Sequence, residues 1–357
     1  MTRPARARID LQNLQHNFSC VRESAPASQV MAIIKANAYG HGLVRVAQAL
    51  RAADALGVVG LKEAITLREA GCDQRIVLLE GLFSADDIAL INGYHLDVVI
   101  HHRNQLELLE QGRLARPLDI WLKVDTGMHR LGFAPTDVDA VVERLMALPH
   151  AGTLRLMTHF ASADEPDSTS TTEQIGRFAE VGRGMTAERT LANSAAILAW
   201  PDSHADWVRP GIMLYGGSPF TGRDAQSLGL KPVMTLRSEL IAVNAHRKGD
   251  AIGYGGSWTC SKDMNIGVAA IGYGDGYPRH APSGTPVLVN GQRAQLAGRV
   301  SMDMICIDLG EQPAAVVGDE VILWGGGLPV DEVAALAGTL SYELLCGVSA
   351  RVCYDYC

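Results

Sequence analysis

The chain has 357 residues, 47% of them hydrophobic, enough for one large α/β barrel and a smaller second domain. Its formal net charge of −8 argues against a nucleic-acid or anionic-membrane partner, which would call for a basic face. No apolar run reaches bilayer-spanning length, the basic N-terminus lacks the apolar core of a secretory signal, and seven cysteines without a CxxC pair fit reduced thiols in a cytoplasmic protein rather than zinc or disulfides.

In chain order, Asp10 is placed to N-cap a helix through about Glu23. Apolar strand-like runs then alternate with amphipathic helical runs. The strand candidates are 30–34, 56–60, 76–79, 97–100, 119–124, 154–158, 190–192 and 208–214. Helix candidates fall between them, near 43–52, 62–70, 84–92, 102–111, 135–147, 173–184 and 194–199. Eight strands with helical crossovers predict an α/β fold of the (β/α)8 TIM type, with a doubly wound sheet as the alternative. Near residue 230 the rhythm changes. Val233–Val243, Ile266–Tyr273, Pro286–Val289, Met304–Leu309 and Glu320–Trp324 read as strands separated by glycine-rich turns, with short helices at about 330–338 and 341–346. The predicted division is a barrel domain, 1–229, and a smaller, mainly β C-terminal domain, 230–357. The stretch 222–230 connects them.

The chemistry is expected around residues 30–42. The apolar run Val30–Ile34 reads as a buried strand that stops at Lys35. A loop of small residues with Gly40 and Gly42 follows, and a helical pattern begins at Leu43. A lysine at the carboxyl end of a barrel strand is where such folds put their chemistry. Desolvated there, an amine becomes less basic and can act as a nucleophile. The plainer alternative is a strand-end lysine that reaches to water. The octapeptide Lys35-Ala-Asn-Ala-Tyr-Gly-His-Gly42 resembles the segment around the cofactor lysine of alanine racemases. In that family the lysine holds pyridoxal 5′-phosphate (PLP) as a Schiff base.

A PLP site needs a phosphate cradle, a partner for the pyridine nitrogen and a second proton-transfer group. TIM barrels commonly bind phosphate in the loops after strands seven and eight, here Asn193-Ser194-Ala195 and Arg209-Pro210-Gly211-Ile212. Ser194 offers a hydroxyl at a helix start, and Gly211 allows close backbone approach. Each alone also reads as an ordinary cap or turn. Arg209 is the candidate for the pyridine nitrogen; a guanidinium donates but cannot accept a proton. Tyr254, flanked by Gly253 and Gly255, is a candidate base for the second face, although a phenol titrates near 10 unless perturbed. His159, at the end of strand six, is placed to link Tyr254 to Arg209. Lys123 in strand five would be a costly buried charge unless paired or modified.

The resemblance extends over nearly the whole chain, through Lys123–Gly132, Asn193-Ser194, Trp207–Gly216, Gly253–Gly255, Gly272–Arg279 and Arg299–Asp303. It implies an N-terminal (β/α)8 barrel, a β C-terminal domain and a head-to-tail homodimer with shared active sites. It implies interconversion of L- and D-alanine through a PLP aldimine, supplying peptidoglycan or alanine breakdown. Lys35 resembles the Schiff-base lysine and one base; Tyr254 resembles the opposite base, from the partner chain. Arg209 resembles the pyridine-nitrogen donor, with His159 beside it. Tyr39, Ser194, Gly211, Ile212 and Tyr342 resemble the phosphate contacts. Arg130 and the backbone N–H of Met302 resemble the carboxylate binders. Lys123 resembles a lysine often carbamylated, and Tyr273, Arg299 and Asp303 resemble entrance residues. Two features depart from the pattern: Ser301 stands where cysteine is common, and the tail Arg351–Cys357 lacks the usual basic, proline-containing ending. A PLP decarboxylase on the same architecture and a non-catalytic PLP carrier are the rival readings.

Overall fold

Strands buried on both faces must be covered by helices on the outside, and a chain of alternating apolar and amphipathic runs satisfies that by closing on itself. In the computed structural model, which describes residues 3–357, the first strand is β1 (Arg6–Ile9). Eight parallel strands then form a closed barrel: β2 (Gln29–Ile33), β3 (Ala55–Val58), β4 (Arg75–Leu78), β5 (Asp97–Ile100), β6 (Leu118–Lys123), β7 (Ala151–Met157), β8 (Arg189–Thr190) and β9 (Trp207–Val208). Every residue of β3 and β5 is buried, as a two-sided strand requires. Helix α1 (Leu11–Ser24) starts as expected: the Asp10 carboxylate accepts from Asn13 N–H at 2.9 Å, and Leu14, Phe18 and Val21 turn inward. Trp121 and Trp207 meet edge to face at 5.2 Å in the barrel. Arg155 lies over both rings and pairs with Asp119 and Glu188, beside the Arg75–Asp97 and Arg75–Asp119 pairs.

The eighth barrel strand is shorter than the run 208–214 predicts. It ends at Val208, and Ile212–Tyr215 coil into a 3-10 turn. Pro210 has no N–H for a ladder, and a short apolar run looks alike in a strand and in a buried turn.

The β region comprises β10 (Met234–His246), β11 (Ala251–Ile252), β12 (Trp258–Thr259), β13 (Met264–Ala269), β14 (Pro286–Val289), β15 (Gln292–Leu296), β16 (Ile305–Asp308), β17 (Glu320–Trp324) and β18 (Cys353–Tyr356). The long β10 pairs with both β13 and β17, so six strands curl into a ring, β10-β13-β16-β15-β14-β17. On the other edge of that sheet, β1 pairs antiparallel with β10 and parallel with β18. The first and last strands thus lie side by side, and neither was anticipated from the sequence. Helices Val330–Ala337 and Ser341–Cys346 lie where predicted and carry the C-terminal part back to the barrel mouth. No described helix is long and apolar enough to cross a membrane.

Candidate active site

The segment after β2 is not the open loop its small residues suggest. Ala36, Asn37, Ala38 and Tyr39 all take positive φ, between 50° and 55°, and wind one left-handed turn. Such backbone costs about 1–2 kcal/mol per L-residue, so its surroundings must impose it. Asn37 Oδ1 accepts from Leu43 N–H at 2.9 Å, and Asn37 O accepts from Gly42 N–H at 3.0 Å. The C-terminal region presses from outside. A Cβ on Gly40 would lie 2.1 Å from the Leu345 carbonyl oxygen, and one on Gly42 would lie 2.0 Å from Tyr356 Oη. Only glycine fits at these two close approaches.

The turn directs Lys35 and Tyr39 into a cavity of about 570 Å³ at the carboxyl ends of the barrel strands. Ten of the residues singled out from the sequence line it: Lys35, Tyr39, Lys123, Arg130, His159, Ser194, Arg209, Gly211, Ile212 and Tyr342. At one end, Ser194 Oγ accepts from the N–H groups of Gly211 (2.8 Å) and Met213 (3.4 Å). A Cβ on Gly211 would come 2.6 Å from Tyr39 Oη, so that phenol sits directly over bare backbone. The Tyr39 and Tyr342 rings are 6.0 Å apart. Burial pushes both phenols well up, so both carry their proton at neutral pH and can donate. Two phenols, a serine hydroxyl and helix-start N–H groups form a cradle suited to a phosphate.

Deeper in, Arg209 is buried. It donates to Thr190 Oγ1 (2.6 Å), to the carbonyls of Thr158 (2.6 Å) and Leu191 (3.0 Å), and to His159 Nδ1 (3.3 Å). A guanidinium only donates, so His159 Nδ1 is the bare nitrogen of a neutral ring. Burial first, then Arg209, Lys123, Arg130 and Lys35, hold His159 well below its ordinary value. Burial, Arg209, Arg130 and Lys35 likewise push the Lys123 amine down to about 8. Burial lowers Arg209 itself to about 10, still charged at neutral pH. Four cations line the cavity against the carboxylates of Glu80 and Asp164. A site of that balance attracts a dianionic phosphate and a carboxylate together.

The other five expected residues lie elsewhere on the chain. Tyr254, Tyr273, Arg299, Met302 and Asp303 form one cluster on the β region and do not line the cavity. The Arg299 guanidinium lies against Gly255, with Nη1 3.4 Å from where a Cβ would sit. Tyr273 N–H donates to Ser301 O (3.0 Å), Gly274 N–H donates to Met302 O (2.9 Å), and Asp303 pairs with Arg351. Tyr254 is 69% exposed and Met302 52%. Ser301 is engaged through its backbone, its N–H donating to Met304 O at 3.0 Å and its carbonyl accepting from Tyr273 N–H. Sequence reasoning missed Thr158 and Thr190, which hold Arg209. Their place at the carboxyl ends of barrel strands was the available signal.

Residues 9–219 match the family model "Alanine racemase, N-terminal domain" and residues 233–356 match "Alanine racemase, C-terminal domain". The chain is 53% identical over 348 residues to an alanine racemase of Shewanella baltica, covering 97% of each. It is 51% identical over 353 residues to that of Shewanella sediminis, covering 98% of this chain and 99% of the relative. Its fold superposes on the biosynthetic alanine racemase of Pseudomonas aeruginosa with a TM-score of 0.97 at 48% identity, over all of both chains. For the alanine racemase of Acinetobacter baumannii the TM-score is 0.95 at 40% identity, again over both full chains. With both family models matched and relatives near half identity over nearly its full length, this chain belongs to the alanine racemase family.

Proposed function

We infer that the chain is a PLP-dependent racemase that interconverts L- and D-alanine. The observation that carries this reading is the cavity itself. The strand-end lysine, the donor-only arginine and the donor cradle line one cationic pocket of suitable size. The residues present fit PLP. The Tyr39 hydroxyl over Gly211 leaves room only for glycine there, and every polar group of the cradle donates or can donate. When bound, PLP supplies the carbonyl that condenses with an amine and the conjugated ring that withdraws electrons from the α-carbon.

Lys35 Nζ anchors the cofactor and exchanges the α-proton on one face. Tyr254 of the partner subunit serves the other face, its hydroxyl giving up a proton as Lys35 takes one, or the reverse. Tyr39, Ser194, Gly211, Ile212 and Tyr342 hold the phosphate. Arg209, fixed by Thr158 and Thr190, would hold the pyridine end of PLP by donating without transferring a proton, and neutral His159 accepts from Arg209. Arg130 and the Met302 N–H of the partner subunit bind the substrate carboxylate. The Lys123 amine, pushed down to about 8, is partly neutral at physiological pH. It adds carbon dioxide, losing a proton, to give a carbamate that orients Arg130. Tyr273, Arg299 and Asp303 narrow the entrance. The working form is a cytoplasmic homodimer of a PLP-binding barrel domain, 1–229, and a β domain, 230–357. Its D-alanine serves peptidoglycan or its activity serves alanine breakdown.

The test is the optical rotation of L-alanine incubated with PLP-loaded protein in heavy water. Decay to zero with deuterium entering at the α-carbon is the expected result. Unchanged rotation with PLP bound removes alanine as substrate; release of carbon dioxide instead identifies a decarboxylase.

A further inference from the structure

His41 is fully buried and the chemistry above does not use it. Its Nδ1 lies 2.8 Å from the carbonyl oxygen of Tyr39 and 3.1 Å from that of Ala38. Both partners are acceptors, so Nδ1 carries the proton. Nε2 is then a bare acceptor, and it has no hydrogen-bond partner among the described residues. A buried polar atom left unpaired costs about 1–3 kcal/mol, so the ring is not there for general polarity. Burial holds it near a value of about 4, neutral throughout the physiological range. Both carbonyls belong to the left-handed turn, and His41 Nδ1–H is the sole donor to the Tyr39 carbonyl among the described residues. The imidazole also packs at 4.6 Å on the Tyr215 ring, which stacks on Tyr39 at 4.7 Å. Tyr215 Oη in turn donates to Ile33 O, two residues before Lys35.

We propose that His41 is a positioning residue for the cofactor phosphate: its Nδ1–H locks the left-handed turn that seats the Tyr39 hydroxyl over Gly211. The proposal rests on PLP being the ligand, and the test separates the two. Apoprotein is titrated with PLP and with pyridoxal, which lacks the phosphate, in the wild type and in three variants. His41→Asn keeps an N–H where Nδ1 was. His41→Gln moves it to the Nε2 position, and His41→Leu removes it. Wild type binding PLP more tightly than pyridoxal upholds the cofactor reading; wild type binding neither overturns that reading itself. Given PLP binding, the expected result is that His41→Gln and His41→Leu weaken PLP about tenfold. They leave pyridoxal within about twofold, and His41→Asn stays close to wild type. If His41→Leu does not fold, the asparagine and glutamine variants alone decide. Equal weakening of both ligands makes His41 a general structural residue and overturns the proposal. Unchanged PLP affinity, or loss in the asparagine variant as large as in the glutamine variant, overturns it as well.

Discussion

The barrel mouth and the face of the β region that carries Tyr254 differ in how finished they are. At the mouth, Arg209 is enclosed by four acceptors and Ser194 Oγ is engaged by two N–H groups. The left-handed turn is held from both sides. On the β region the equally specific residues stand in the open, with Tyr254 and Met302 more than half exposed. The first region is preorganised by its own chain, so its geometry is set before any ligand arrives. The second leaves apolar and phenolic groups exposed, and under the proposed function a second copy of the chain covers them. On that proposal, half of the site belongs to the fold and half to the assembly.

The largest test of that contrast mixes two inactive proteins. Lys35→Ala and Tyr254→Phe should each lower turnover by about 10² to 10⁴. After subunit exchange the mixture should regain about a quarter of wild-type activity, because half the dimers then carry one intact site. No recovery, with exchange verified by mass spectrometry, would place both groups in one chain's site and break the contrast.

A smaller effect is expected inside the barrel mouth. Gly211→Ala puts a methyl 2.6 Å from Tyr39 Oη, and PLP affinity measured on apoprotein should fall about tenfold. An unchanged affinity would mean that the cradle yields more readily than its burial implies.

Lys123 sharpens the electrostatic side. Its amine, about 8 when folded and near 10.4 when unfolded, makes the unfolded chain bind more protons between those values. Stability therefore rises with pH across that window. In buffer free of carbon dioxide, Lys123→Met should raise the thermal midpoint at pH 7 by a few degrees, and the gain should fade towards pH 10. Bicarbonate should shrink the gain at pH 8, where a carbamate replaces the repelled ammonium. Insensitivity to bicarbonate by calorimetry would count against the modification.

The smallest change is expected at the entrance. Arg351 pairs with Asp303 at the surface, and exposed pairs contribute little to stability. Arg351→Ala should leave alanine turnover nearly intact while raising relative kcat/KM for serine about two- to fivefold. Equal loss on both substrates would assign Arg351 to general packing.

Much of this architecture was legible because its signal is local. The helices at 194–199 and 341–346 and the strand at 97–100 fall where periodicity puts them. What escaped is set at a distance. β1 and β18 are four-residue segments rich in polar side chains that become strands because β10 offers an edge to β1 and β1 in turn offers one to β18. The left-handed turn has little local code, since alanine and tyrosine favour right-handed backbone and asparagine only occasionally leaves it; Leu345 and Tyr356 pack on the glycines that follow it from more than 300 positions away. In the candidate site, the position of Lys35 could be read from strand and loop alone. Tyr254 could be nominated as a base from its flanking glycines, but its place on a partner chain and the roles of Met302 and Asp303 came through family resemblance, because no pattern of spacing says that an exposed residue would finish a pocket.

The packing of Tyr356 against Gly42 also orders events in time. Gly42 is made long before Tyr356, so the contact that closes over the loop after Lys35 can form only when the last strand arrives. At about 5–20 residues per second, the nascent chain waits about 15 seconds to a minute before that contact can form. Under the proposed function, a polypeptide stalled before Tyr342 would hold a nearly complete barrel whose cavity still lacks one of its two phenols.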